Sequence, residues 1–475
     1  MSRKPKYDGL IIGAGPNGLA AAIVLARAGR SVLVLEAENG VGGGARSAEL
    51  TLPGFTHDLG SAVHPMAVAS PFFRSLPLHE HGLEWIHPPY ALAHPFDDGT
   101  AAVLHHSIEE TGSALGVDGP AYGKLMGPLV AHWSLLEEDI LGPVGLPKHP
   151  FAFARFGLKA IQPASSLAKS IFRSQPAKAL FAGLAAHSAQ PLNRWGTSAI
   201  ALVLGAAAHV RGWPIPKGGA QQIADALTSY LRSLGGEIEC GVRVRSLKEV
   251  PPSRIVLCDL SPQGLLEISG DILPAGYRRA LRQYQYGPGV FKVDWALHSP
   301  IPWTCPLCSS AGTIHLGGTL PEIMRSEQTW ARNTNAEQPF VLLSQPSLFD
   351  PSRAPAGRHT AWAYCHVPRA AEFDMTGRIE AQVERFAPGF RELIMSRSTH
   401  SPAQLQHENA NLVGGDITGG ANSLRQLLLR PTSRFYATPV KGLFLCSAST
   451  PPGGGVHGMC GYHAAIRALG SETKA

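Results

Sequence analysis

The sequence predicts an α/β protein built on a Rossmann-like parallel sheet, and three observations carry that expectation. The first is the stretch from Tyr7 to Glu36, where an apolar run, a glycine turn, an Ala/Leu-rich helical run and a second apolar run end on an acid. The second lies more than four hundred residues later. There the strand-like run Gly442 to Ser449 enters the glycine cluster Pro452 to Met459, ahead of a last helical run. The third is the mixture of strand-like and helical runs between these two ends.

The N-terminal stretch is the most explicit. Leu10 to Ile12 leads into Gly13-Ala14-Gly15-Pro16-Asn17-Gly18, the helix Leu19 to Ala28 follows, and Val32 to Leu35 ends on Glu36. Gly13 permits the tight turn, Gly15 lets the backbone approach a pyrophosphate, and Gly18 lets helix and strand pack closely. The helix N-terminus offers free N–H groups and its positive dipole end to phosphate. Glu36 is placed to accept hydrogen bonds from an adenosine ribose. A lone G-x-G-x-x-G is weak. Here the strand, helix, second strand and acid that give it meaning are all in place, and dinucleotide binding is the expectation.

Composition bounds the rest. A length of 475 residues allows two or three domains, and 44% apolar with 16% charged residues suits a large globular core. The balance of 41 basic and 35 acidic residues is too mild to argue for nucleic acid. Seven cysteines, an odd number in a long chain, argue against a disulfide framework and for a reducing compartment. The N-terminus enters the first strand within a few residues, so no signal peptide is expected. The longest apolar run, Ala199 to Val210, is too short to span a bilayer and contains Gly205. A cytoplasmic location is expected.

Further along, Val41-Gly42-Gly43-Gly44-Ala45-Arg46 reads as a loop in close approach to a ligand. Residues 52–65 read as a strand entering a glycine turn, 97–104 as a hairpin, and 107–140 as helical. From Ile140 to Ala224 there is no Asp or Glu, while Lys148, Arg155, Lys159, Lys169, Arg173, Lys178, Arg194, Arg211 and Lys217 interleave with apolar residues. A solvated basic helical face is the plainer reading. A cationic surface over residues 148–217 that docks on anionic lipid is the sharper one. A helix over 221–234, stopped by Gly235-Gly236, precedes strands over 237–244 and 254–259. Strands are also expected over 289–297, 312–317, 340–345 and 359–366, and helices over 379–387 and 461–469. Period-two alternation puts Lys292 and Asp294 on one face of the strand Gly289 to Leu297, with Phe291, Val293 and Trp295 on the other.

Four separated blocks agree with one another: the N-terminal βαβ with Glu36, the run Val41 to Gly44, the segment PKGGAQQIADAL with the strand after it, and the tail GLFLCSASTPPGGGVHGMCGYHAA. Together they resemble the FAD-dependent amine oxidase / phytoene desaturase superfamily, and more closely its phytoene-dehydrogenase-like branch. Other matching runs, such as GFTHDLGSAVHP, FKVDWAL and WAYCHVP, extend the likeness over nearly the whole chain. The resemblance implies a discontinuous Rossmann-like FAD-binding domain (1–70, 212–288, 433–475). An inserted α+β substrate domain, a mixed sheet with helices, would comprise 71–211 and 289–432.

It also implies a set of cofactor contacts. Gly13, Ala14, Gly15, Pro16, Asn17 and Gly18 would lie at the pyrophosphate, and Glu36 and Ala37 at the adenosine ribose. The backbone of Val244 would read the adenine edge. Gly43, Gly44, Ala45 and Arg46 would close over the dinucleotide. Gly60, Ser61 and Ala62 would lie beside the isoalloxazine, with Ser447, Val456, His457 and Met459 at the other flavin contacts. A helix N-terminus there would stabilise the negative charge of reduced flavin. Two positions depart from the family pattern. Gly44 stands where many relatives have Arg, with Arg46 the nearest substitute, and Ser447-Ala448 stands where many have Gly-Asp or Gly-Glu.

FAD, held non-covalently, would carry the redox chemistry. Lys292 is the leading catalytic candidate, because its strand resembles that of amine oxidases in which a lysine holds a water near flavin N5. A structural ion pair with Asp294 is its plain alternative. His64 and His457 are candidates for acid–base work, with His209, His315 and His366 weaker ones. Cys305 and Cys308 form a C-x-x-C without a second ligand pair, so no metal is expected. The leading functional reading is hydride transfer at a carbon of a lipophilic substrate, in the manner of isoprenoid or lipid desaturation or saturation, with dioxygen or a quinone as acceptor. Peripheral contact with the inner membrane would suit it. Amine oxidation is the second reading, although the aromatic pair it uses is not identifiable in the sequence. A low-turnover flavoprotein scaffold is the third.

Overall fold

The computed structural model describes residues 6–472. β1 (Tyr7–Ile12) is buried along nearly its whole length, as suits a parallel strand covered on both faces. Gly13 follows with φ of 101°, a left-handed turn that favours glycine. α1 (Pro16–Arg27) then starts with proline in its first turn. A Cβ on Gly18 would lie 2.0 Å from the Gly13 carbonyl oxygen, so only glycine lets α1 sit this close to the turn. β2 (Val32–Leu35) is wholly buried.

β3 (Tyr90–Pro95) and β4 (Ala101–Leu104) form a hairpin. Several helices follow, of which α2 (Gln175–Ala186) and α3 (Thr197–Arg211) are Ala-rich and mostly buried. α4 (Gln221–Ser233) leads to β5 (Glu237–Glu239) and β6 (Ser253–Cys258). β5 is shorter than the expected strand over 237–244. The chain leaves the ladder after Glu239, and the Val242 N–H donates to the carbonyl of Glu36 beyond the end of β2. The substrate-side elements are β7 (Gly289–Leu297), β8 (Ala311–Leu316), β9 (Val341–Ser344), β10 (His359–Val367), α5 (Thr376–Phe386) and β11 (Ile394–His400). β12 (Leu443–Leu445) and α6 (Met459–Glu472) end the chain.

Two sheets organise the molecule. The first is five-stranded and parallel, in the order β12-β6-β1-β2-β5, with strands from three widely separated stretches of chain. α1, α4 and α6 share one apolar core against it. The fit of α6 on α1 is tight enough that a Cβ on Gly461 would fall 1.8 Å from the Asn17 carbonyl oxygen. The second sheet is seven-stranded and mixed, in the order β11-β7-β10-β9-β8-β3-β4, with only the β8–β3 pair parallel.

The alternation expected in β7 is present. Phe291, Val293 and Trp295 join the core under α5, while Lys292 and Asp294 point to the opposite face. On that opposite face the pairing register aligns Lys292 with Tyr364, Tyr364 with Leu342, and Leu342 with His315. This row crosses the sheet from β7 to β8. Among the described residues, no helix is long and apolar enough to cross a membrane.

Candidate active site

A cavity of about 470 Å³ begins at the carboxyl ends of the parallel strands and runs on between the two sheets. Gly15 follows β1, Asp259 follows β6 and Ser447 follows β12, and all three line it. Ligands of open α/β sheets bind in this place, outside the carboxyl ends of the strands.

The first half of the cavity is made of backbone. Gly15, Pro16, Asn17, Gly43, Gly44 and Gly60 form its wall. A Cβ on Gly43 would lie 3.0 Å from the Gly15 Cα, and one on Gly60 would lie 2.2 Å from the Gly44 carbonyl oxygen. These chains touch because side chains are missing. The cradle fits a dinucleotide: its wall is bare backbone at the start of α1, and the buried Asn17 Oδ1 beside it has no protein partner. The tail brings Gly454, Gly455 and Val456 to the same wall, just ahead of α6. Buried Arg430 donates to the carbonyls of Gly419 and Ala448, tying this loop to the body.

Glu36 sits behind the turn. Its carboxylate accepts from the Ala14 N–H at 2.6 Å and from the Glu38 N–H at 2.9 Å. Ala37 is exposed beside it, and Val244 lies past the end of β5, outside the cavity wall. Arg46 donates to the carbonyls of Gly43 and Glu408, so its guanidinium braces the glycine loop. Gly13, Ala14, Gly18, Ala45, Ala62 and Met459 are not part of the cavity lining.

Asp259 is the unexpected member of this half. Its Oδ2 accepts from the Gly18 N–H at 2.9 Å, and a Cβ on Gly15 would lie 2.7 Å from the same oxygen. Burial pushes its carboxyl up to about 7; the Gly18 hydrogen bond opposes that and the charge of Glu36 adds to it. An acid directly after the apolar run Ile255 to Cys258 was the signal available in the sequence.

The second half is made of side chains. Lys292 lines the cavity and is ion-paired with Asp294. Asp294 also lies 3.6 Å from His57 Nδ1 and 3.7 Å from His400 Nδ1. Lys292 is thus an ion-pair partner of Asp294 and part of the cavity wall at once. His64 is buried, with its Nε2 unpartnered, and it lines the cavity too. Burial pushes its imidazole down to about 4. His457 is different. Its Nδ1 accepts from the Met459 N–H at 3.0 Å, which holds the start of α6, and it does not line the cavity.

Beyond Lys292 the wall becomes apolar and aromatic. Trp362 and Tyr364 stack with ring centroids 5.7 Å apart and planes within 6°. Both belong to β10 and form one flat wall, not two rings facing each other across a gap. Ile200, Val203 and Leu204 of α3 also line it, as do Trp213 and His187, the latter against His315 on β8, three strands from Lys292. Among the described residues, Lys292 and Asp259 are the only Lys, Arg, Asp or Glu lining the cavity. Cys305 and Cys308 lie away from it on a short turn of the mixed sheet, and all seven cysteines are free. The described residues contain no group of three or more His, Cys, Asp or Glu able to hold a metal.

Comparison with known proteins agrees with this architecture. The model of the NAD(P)-binding Rossmann-like domain matches residues 11–76. Over 97% of its length the chain is 26% identical to pyridine nucleotide-disulfide oxidoreductase domain-containing protein 2 of Rattus norvegicus, covering 93% of that protein. Over 95% of its length it is 24% identical to the lycopene-forming phytoene desaturase of Pseudescherichia vulneris, covering 96% of it. The cyclohexylamine oxidase of Brevibacterium oxydans shares the fold, with a TM-score of 0.61 and 16% identity over 99% of this chain and all of that one. The chain carries a Rossmann dinucleotide-binding domain and is homologous over nearly its full length to both curated proteins.

Proposed function

We propose that this chain, an oxidoreductase by homology, binds FAD non-covalently along the cavity and transfers hydride at a carbon of a lipophilic substrate. The observation that carries the reading is the continuity of one cavity. It starts in a glycine cradle suited to a dinucleotide and ends in an apolar, aromatic chamber. Bound FAD would supply the hydride donor or acceptor. Gly15, Pro16 and Asn17 would hold the pyrophosphate, Glu36 the adenosine ribose, and Gly60, Ser61, Ser447 and Val456 the flavin. The division 1–70, 212–288 and 433–475 for cofactor, and 71–211 and 289–432 for substrate, belongs to the same proposal.

The chain's own residues would then do three things. The walls from α3 and β10 exclude water. Lys292, fixed by Asp294, presents a cation that orients water or dioxygen and favours reduced flavin. His64 presents an unpartnered Nε2, neutral above about pH 4, as a hydrogen-bonding or proton-relay group. The electron acceptor would be dioxygen or a quinone.

Amine oxidation is the weaker reading. Among the described residues, the substrate half offers no free carboxylate to hold an ammonium group, since Asp294 is taken by Lys292. Anaerobic titration of the FAD-loaded protein separates the two. Bleaching of the flavin band by polyenes or lipids is the expected result, and bleaching by amines alone would overturn it.

A peripheral membrane contact through residues 148–217 is part of the proposal, at the cytoplasmic face of the inner membrane. Phe151 is 92% exposed, Leu158 71% and Trp195 61%, and Arg155 and Lys159 have no carboxylate partner among the described residues. Co-sedimentation with phosphatidylglycerol vesicles, lost on Phe151→Ser with Leu158→Ser, is the expected result. Equal recovery with and without vesicles would remove this part.

A further inference from the structure

The far wall of the cavity holds a histidine pair with no role so far. His187, just past the C-terminal end of α2, and His315 in β8 face each other with their Nε2 atoms 3.1 Å apart. His315 is fully buried, whereas His187 lines the cavity. The pair is built into the fold. α2 has Gly183 where the His315 ring packs, and a Cβ there would lie 2.4 Å from His315 Nδ1. Glycine inside a helix is unfavourable by itself, and here it makes room for an imidazole. The Trp213 ring stands edge-on to His187 with centroids 6.4 Å apart, held by its own hydrogen bond to Thr313 Oγ1.

The proton positions follow from the partners. Two facing Nε2 atoms share one proton. His315 Nδ1 is buried, pressed against Gly183 and without a partner, so an N–H there would have no acceptor. His315 therefore carries its proton on Nε2 and donates it to His187 Nε2. The proton of His187 is then on Nδ1, which has no protein partner among the described residues. Burial keeps both rings neutral, with His187 pushed down to about 3.

The position of the pair is as informative as its chemistry. The register row Lys292, Tyr364, Leu342, His315 spans three strand spacings, or about 14 Å. Apolar Leu342, Val203 and Leu204 line the way. Among the described residues, no Lys or Arg lines the cavity at the His187 end, so a buried anion would go unpaired there.

We propose that His187, set by His315, binds a neutral oxygen function of the substrate at the end of the cavity remote from Lys292, whose strand lies three strand spacings, roughly 14 Å, from that of His315. The substrate class is then an oxygenated lipophile, such as a ketone, ester or alcohol, in preference to a hydrocarbon or a carboxylate. The inference rests on the reading of the cavity as a lipophile site. His315 is a positioning residue, because it acts only through His187.

The test titrates the FAD-loaded protein with decan-2-one, decane and decanoate under mildly alkaline conditions. Calorimetry and quenching of the cavity tryptophans Trp213 and Trp362 report binding without turnover. Decan-2-one is expected to bind roughly tenfold tighter than decane, the factor of one well-made hydrogen bond, with decanoate the weakest. His187→Leu should bring decan-2-one down to the level of decane and leave decane unchanged, which also shows that the variant keeps its cavity. Equal binding of ketone and alkane by the native protein, a preference that survives His187→Leu, or tight decanoate binding would each overturn the inference alone. Failure of all three ligands to bind would overturn the lipophilic reading, and this inference with it.

Discussion

The two ends of the cavity are built by opposite means. At the nucleotide end the wall is backbone, and its glycines are there because side chains would collide: 2.0 Å at Gly18, 2.2 Å at Gly60. At the substrate end the wall is side chain, and two of its polar members sit in pairs, Lys292 with Asp294 and His187 with His315, while His64 keeps an unpartnered Nε2. A backbone wall can accept any dinucleotide of the right shape. A wall of paired side chains selects by charge and hydrogen bonding, and each pair must be complete to be tolerated in a buried site. The nucleotide end should therefore be sensitive to added atoms, and the substrate end to lost partners.

The largest expected effect tests the second half of that contrast. Lys292→Met leaves Asp294 buried beside His57 and His400 with no cation to balance it. Removing one partner of a buried pair costs roughly 3–5 kcal/mol. The double variant Lys292→Met with Asp294→Asn should recover most of that stability while leaving flavin reduction slow. Denaturant unfolding of the native protein, the two single variants and the double variant gives the coupling directly. If the double variant is no more stable than Lys292→Met, the two side chains are not a unit.

Asp259 breaks the contrast from the other side, because among the described residues it is the one ionisable carboxyl in a wall otherwise made largely of backbone. Its folded-state carboxyl is raised to about 7, against an ordinary value of 3.8. Between about pH 4 and pH 7 the folded protein holds a proton that the unfolded chain has lost. Stability attributable to this group is thus present at low pH, declines as pH rises through that window, and stays low above it. Three pH units correspond to at most roughly 4 kcal/mol. Asp259→Asn keeps an acceptor for the Gly18 N–H and removes the charge. Thermal melts should show the variant more stable than the native protein at pH above about 7, with the two converging toward about pH 4. A cofactor phosphate nearby would favour the protonated carboxyl further, so native FAD retention should also weaken as pH rises past about 7, and the variant's should not.

The same contrast explains which parts were legible in the sequence. A backbone approach demands glycine at fixed local spacing, so the turn from Gly13 to Gly18 can be read from the residues alone. The two faces of β7 were legible for a similar reason, since a period of two is a local property. The contacts that were missed are separated widely in the chain. Gly18 and Asp259 are 241 residues apart, and His187 and His315 are 128 apart. Neither pair has a spacing rule, because sheet order and strand register bring them together. Trp362 and Tyr364 could be seen as an i, i+2 pair, but their place on the cavity wall depends on pairing with Lys292 across β7 and β10. The shortened β5 was missed because Gly241, which takes a φ of 74° where the chain leaves the ladder, was read as part of the strand.

The smallest expected effect concerns Gly44, where many members of the resembled superfamily have arginine. A Cβ at Gly44 would meet nothing within 4 Å, and its φ lies outside the left-handed range, so the site admits a side chain without strain. It differs in this from Gly18 and Gly60, which exclude one. Gly44 lines the cavity together with Gly15 and Asp259. Arg46 cannot supply the missing cation without releasing the carbonyls of Gly43 and Glu408. Gly44→Arg would place a guanidinium beside the proposed pyrophosphate position and also offset the Asp259 carboxylate. One charge-assisted contact at a partly solvated site is worth about 1 kcal/mol, or roughly fivefold in affinity. FAD binding measured by flavin fluorescence should tighten by about that factor, with the melting temperature of the cofactor-free protein little changed. Unchanged or weaker FAD binding in a stably folded variant would mean that the phosphates do not pass Gly44, and the nucleotide end of the cavity would have to be redrawn around Asn17 and the start of α6.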